Sequence, residues 1–266
     1  MVDNEALYRI ALKQLKHKDV TFSFINKIVK RCMLESTASL RFGGFNNAGV
    51  RKLLTNLCPF PRLHFLVTTL APMTPMKDRV YDVLNGKQLT RELFDSRGAL
   101  CNIELTRGKL LTGAAIYRGK LETSEVETSL AKLRQKNSGN FVEWIPDNLL
   151  SSICHVPNPE YPISGVLLGN TTSIQSIFKR IESQFNAMYN KKAFMHHYID
   201  QGLDWSEMSE SRMNLVDLTN EYQQYEIAKA TDEYAEEYEE EEEAEEPADK
   251  LRATKSTEVI SEHPST

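Results

Sequence analysis

At residue 62 the apolar pattern of this chain changes period, and that change constrains the fold more than any other feature. Residues 63–70, 109–117, 141–145 and 163–168 are short runs rich in branched and aromatic side chains, and they read as strands. Helical patterns at about 87–95 and 122–135 separate them, so the alternation predicts an α/β fold with a sheet packed against helices. Before residue 62 the pattern is helical. Residues 21–40 carry Phe22, Ile25, Ile28, Val29, Cys32, Met33 and Leu40, a wide apolar surface that predicts a core helix. A shorter helix is expected at 50–56. Leu7, Ile10, Ala11 and Leu15 share one face of an N-terminal helix. Two readings fit that face: later segments cover it, or sequence precedes Met1. Two long helices, 172–189 and 206–228, close the fold, joined by KKAFMHHYIDQGLD. Met208, Met213, Leu215, Val216, Leu218 and Tyr222 supply the packing face of the second.

Charge divides the chain unevenly. Residues 231–266 hold 14 acidic and 3 basic residues, a net −11, while residues 1–230 hold 23 acidic and 29 basic, a net +6. A mildly basic body thus carries a strongly acidic tail, EYAEEYEEEEEAEEP, followed by a polar segment; both read as disordered. Three readings fit the acidic run: a solubilising tail, a docking strip for basic proteins, or the tail of a histone-binding chaperone. Cys32, Cys58, Cys101 and Cys154 form no C-x-x-C pair and read as reduced thiols. MVDNEALYRI lacks the pattern of a signal peptide, and no apolar run approaches the ~20 residues of a membrane-spanning helix. The expectation is a soluble intracellular protein.

Most catalytic motifs fail when tested. In RFGGFNNAGVRKL, Gly44 and Gly49 have the spacing of a phosphate loop, but Val50 and Arg51 stand where Lys and a hydroxyl residue are needed. His196 and His197 are adjacent, so they lack the i, i+4 spacing of a helical metal pair, and Cys154-His155 has no second half. No G-x-S-x-G elbow occurs. Asn170-Thr171-Thr172 matches a glycosylation acceptor that an intracellular chain would not use. Phe22 and Asn26 lie i, i+4, and an aromatic face beside an amide can stack on a base and bond its edge. The plainer reading of Phe22 is core packing.

Several stretches together resemble beta-tubulin: NEALY at 4–8, LRF at 40–42, PFPRLHF at 59–65, FVEWIP at 141–146, FKRI at 178–181, KAF at 192–194 and EYQQY at 221–225. They occur in the family's order over residues 2 to about 247. EWIP and RLH are similar to the beta rather than the alpha branch.

The resemblance implies an architecture. Residues 1–56 would be the end of a GTP-binding domain with its central helix. Residues 57–190 would be a mixed-sheet intermediate domain, 191–230 a C-terminal helical region on the outer microtubule surface, and 231–266 an acidic tail. It implies GTP or GDP as ligand, with Asn4 and Asn26 bonding the nucleotide and Phe22 stacking on guanine. Mg2+ follows from the family, without ligands here. Gly44, Asn47 and Lys52 would lie at the longitudinal subunit contact, where Gly49 replaces an acid. Tyr81 would be the aromatic plug of the lateral contact. Glu239, Glu240, Glu241, Glu242, Glu243, Glu245 and Glu246 would be sites for added glutamate or glycine chains. Implied partners are alpha-tubulin, other tubulin subunits of the microtubule, motors and microtubule-associated proteins, in the cytoplasmic cytoskeleton; no nucleic acid or membrane is expected. No catalytic residue is expected either, because Lys52 stands where the alpha branch carries its activating glutamate.

The family's glycine-rich phosphate loop has no counterpart among these 266 residues. Phosphate contacts dominate nucleotide affinity, so this polypeptide alone is expected to bind GTP weakly or not at all. Saturable binding of a fluorescent GTP analogue to the purified chain at micromolar concentration would overturn that expectation.

Overall fold

Runs of branched residues pair into one four-stranded sheet: β1 (Val67–Ala71), β2 (Leu110–Gly119), β3 (Leu149–Cys154) and β4 (Ile163–Thr171). The computed structural model describes residues 1–42, 49–75, 84–145 and 147–229. The strand order is β1-β4-β2-β3. β4 runs antiparallel to both β1 and β2, and β2 runs parallel to β3, so the sheet is mixed. Residues Met1–Ala228 form one compact unit, and Lys229–Thr266 are a second.

Because side chains alternate across a strand, each face of the sheet collects its own helices. On one face Leu70, Ile116 and Val166 meet Leu7, Ile10 and Ala11 of the N-terminal helix α1 (Asn4–Arg9) and its π-helical continuation (Ile10–Gln14). They also meet Ile25, Ile28 and Cys32 of α2 (Phe22–Ser36). Later segments therefore cover the apolar face of the first helix. After a short α3 (Ala38–Arg41), Leu53 and Leu57 of α4 (Val50–Leu57) pack on Ala114. On the opposite face Ala71, Ala115, Tyr117, Ile153 and Leu167 meet Leu89 and Leu93 of α5 (Gly86–Leu93). Val126 and Leu130 of α6 (Thr123–Lys136) complete that layer. A third cluster joins Leu63, Val67 and Leu111 to α7 (Gln175–Tyr189) and α9 (Trp205–Ile227), through Ile177, Phe178, Leu218 and Tyr222.

Three expectations change. Residues 141–145 do not form a strand. Phe141 makes a single bridge to Leu110, after which Trp144 turns onto Phe60 and Tyr225 instead of joining the sheet. The strand paired to β2 lies further on, at Leu149–Cys154. The apolar surface of α2 is narrower than its sequence suggests, since Phe22, Met33 and Leu40 are exposed. Likewise Met213 of α9 faces solvent, and the linker before α9 contains a helix, α8 (Met195–Asp200). Among the described residues no helix is long and apolar enough to cross a membrane.

Candidate functional site

The groups expected to face a base sit at the N-terminal ends of α1 and α2. Asp3 caps α1, accepting from the Glu5 N–H at 3.2 Å. Arg180 of α7 then donates to Asp3 at 2.9 Å and to Glu5 at 2.8 Å, which anchors this helix end. Asn4 lies between those two acids and is exposed. Thr21 caps α2, accepting from the Phe24 N–H at 3.4 Å, and Phe22 opens the helix with 68% of its surface exposed. Asn26, one turn on, is also exposed. Neither Asn4 nor Asn26 has a side-chain hydrogen bond to another described residue. An open ring and two amides with donors and acceptors to spare suit a base. They do not suit a metal: among the described residues no group of three or more His, Cys, Asp or Glu is placed to hold one.

Gly44, Asn47, Tyr81 and the tail glutamates lie outside the described residues, as does the segment read as disordered. Lys52 projects from the exposed side of α4, whose other side carries buried Leu53 and Leu57. His196 and His197 are exposed, with ring centroids 3.9 Å apart. Asn170 is buried in β4 and donates to Leu57 O at 3.0 Å and Leu63 O at 2.6 Å, so its amide serves packing. Burial pushes the thiols of Cys32 and Cys58 up and that of Cys101 to about 11, so none offers a thiolate at neutral pH.

Stretches far apart in sequence converge in space. Phe60 stacks on Tyr225 at 4.2 Å, and Trp144 lies 5.9 Å from each of them. Arg62 reaches Glu221 at 2.5 Å. The PFPRLHF, FVEWIP and EYQQY stretches thus build one aromatic and ionic joint that fastens α9 to the body. A cavity of about 440 Å³ lies between α7, α8 and α9, lined by Phe185, Met188, Met195, Tyr198 and Met208 among others.

A second polar feature has no counterpart in the sequence reading. Glu35 and Arg118, 1% and 5% exposed, face each other at 3.8 Å across α2 and β2. Asn158 donates to Glu35 at 2.7 Å, and Arg118 donates to Val156 O at 2.9 Å. Arg31 donates to the Ala71 and Pro72 carbonyls, and its guanidinium lies 3.7 Å from the Tyr161 ring centroid. The one signal in sequence was the i, i+4 pair Arg31 and Glu35, set within an otherwise apolar helix face.

A mixed sheet between helices, with α7 and α9 joined to it by the convergent stretches, defines a tubulin-type domain, and residues 61–183 match the tubulin C-terminal domain. The chain belongs to the tubulin family over this region, and its similarity runs to beta-tubulins. It is 42% identical to the tubulin beta-7 chain of Gossypium hirsutum over 232 residues, 87% of this chain and 52% of the relative. To the tubulin beta-3 chain of Oomycete-like sp. (strain MacKay2000) it is 43% identical over 233 residues, 88% of this chain and 52% of the relative. To the tubulin beta-4 chain of Zea mays it is 42% identical over 236 residues, 89% and 53% respectively. The chain spans about half the length of the curated relatives it matches.

Proposed function

We propose that this chain is a beta-tubulin-like structural subunit of microtubules, paired with alpha-tubulin in the cytoplasmic cytoskeleton. The observation that carries this reading is the 42–43% identity to beta-tubulins along 87–89% of the chain. In this reading residues 1–56 end a GTP-binding domain, 57–190 form the intermediate domain, and 191–230 form the helical region that receives motors and microtubule-associated proteins. Phe22 stacks on guanine while Asn4 and Asn26 bond its polar groups; their exposure supports that role. The bound nucleotide and its Mg2+ would supply the charge that links neighbouring subunits. Gly44, Asn47 and Lys52 serve the longitudinal contact and Tyr81 the lateral one. Glu239, Glu240, Glu241, Glu242, Glu243, Glu245 and Glu246 accept added glutamate or glycine chains.

Co-assembly tests the reading. The labelled chain, mixed with alpha–beta tubulin dimers, is expected to enter polymers and pellet with them, and to return to the supernatant on cold depolymerisation. Absence from the pellet, with retained binding to motor domains, would instead make it a non-polymerising interaction module.

A further inference from the structure

We propose that the exposed face of α2, with the loop before it, is a docking surface for a glutamate-rich acidic peptide of a partner protein. The +6 surplus of residues 1–230 is carried by one short stretch. Residues 6–34 contain seven basic residues (Arg9, Lys13, Lys16, Lys18, Lys27, Lys30 and Arg31) against the single acid Asp19, while residues 1–5 and 35–230 hold 22 of each sign. The fold sorts these seven by role. Arg31 is buried on carbonyl oxygens, and Arg9 is half-buried and donates to Asn102 at 3.0 Å. The five lysines are exposed. The nearest other acids are engaged: Glu5 with Arg180, and Glu35 with Asn158 and Arg118.

The helix geometry puts the free groups on one side. With Ile25, Ile28 and Cys32 turned to the sheet, a 100° step per residue places Phe22, Asn26, Lys27, Lys30 and Met33 on the solvent arc. His17 stacks on Phe24 with centroids 4.1 Å apart, which holds the Lys16–Lys18 turn against the start of this helix. Phe22 and Met33, 68% and 64% exposed, supply apolar contact at the two ends of the same face. From residue 22 to 33 the helix rises about 17 Å, a span that roughly five extended peptide residues cover.

The chemistry favours carboxylates over phosphates. Every exposed cation here is a lysine, a point charge that pairs with a single carboxylate, whereas the forked guanidinium groups suited to phosphate are already engaged. One exposed aromatic ring anchors a peptide side chain, but it is not the row of stacking platforms that single-stranded nucleic acid uses. This inference is independent of polymer assembly.

The test is anisotropy of a fluorescein-labelled peptide, about eight residues of glutamate with two tyrosines, titrated with the full chain. Saturable binding is expected, and it should collapse near 1 M salt, where the Debye length is about 3 Å. The double variant K27E/K30E should weaken binding about tenfold or more, and Phe22→Ala about fivefold. The charge-matched pair K132E/K136E on exposed positions of α6 should bind within about twofold of the parent. Circular dichroism spectra unchanged from the parent confirm folding of each variant. Three results would overturn the proposal: no peptide binding, an equal loss in K132E/K136E, or tighter Lys27- and Lys30-dependent binding of a single-stranded oligonucleotide of equal charge.

Discussion

Replacing Arg118 by alanine is expected to lower unfolding stability by about 3–5 kcal/mol, the cost of stranding a buried partner charge. The partner is Glu35, 1% exposed, and its Oε2 has the Arg118 guanidinium at 3.8 Å but no hydrogen bond of its own. The pair is therefore held by charge at that oxygen, and its geometry is not close enough for the two groups to bond directly. Asn158 satisfies only Oε1. Removing the guanidinium also frees the Val156 carbonyl, which accepts from Arg118 Nε at 2.9 Å. The double variant Glu35→Leu with Arg118→Met removes both charges and keeps most of the volume, so its loss should be much smaller than that of Arg118→Ala. Denaturant midpoints of the two variants measure the difference. Equal losses would show that the site is held by packing alone.

That ion pair also shows where sequence reading stops. β1, β2 and β4 were legible because each is a continuous run of branched residues flanked by turn signals. β3 was not, because Ser151 and Ser152 interrupt its alternation, and its place is set by pairing with β2. FVEWI has the composition of a strand, yet Trp144 gains more by packing on Phe60 and Tyr225 than by extending a ladder. Phe22 reads as a core residue from its type alone. Its position on the first turn of α2, on the side turned from Ile25 and Ile28, leaves it in solvent. The base-facing trio could be named from resemblance, and its exposure came only with the fold. The partners of Glu35 lie 83 and 123 residues further along the chain, at Arg118 and Asn158, and no local spacing connects them.

Gly119→Ala is the second large effect, expected to cost about 3 kcal/mol or more. Gly119 closes β2 opposite Ile163 with φ of +119°, a conformation that side-chain-bearing residues rarely adopt. A Cβ there would stand 2.2 Å from the Pro162 carbonyl oxygen and 3.1 Å from Ile163 Cα, both backbone atoms of the neighbouring strand entry. The clash cannot be relieved by a rotamer change, so β2 and the segment leading into β4 must separate at this point. Gly139→Ala is the control: a Cβ there meets nothing within 4 Å, and its effect should stay within about 0.5 kcal/mol. Gly119 adjoins Arg118, so a shift at the strand end moves the guanidinium away from Val156 and Glu35. The two substitutions should then be non-additive by roughly 0.5–3 kcal/mol, with the double variant less damaged than the sum of the singles. Chemical denaturation of both singles and the double variant gives this coupling directly. A strictly additive result would mean that the end of β2 and the buried ion pair are independent.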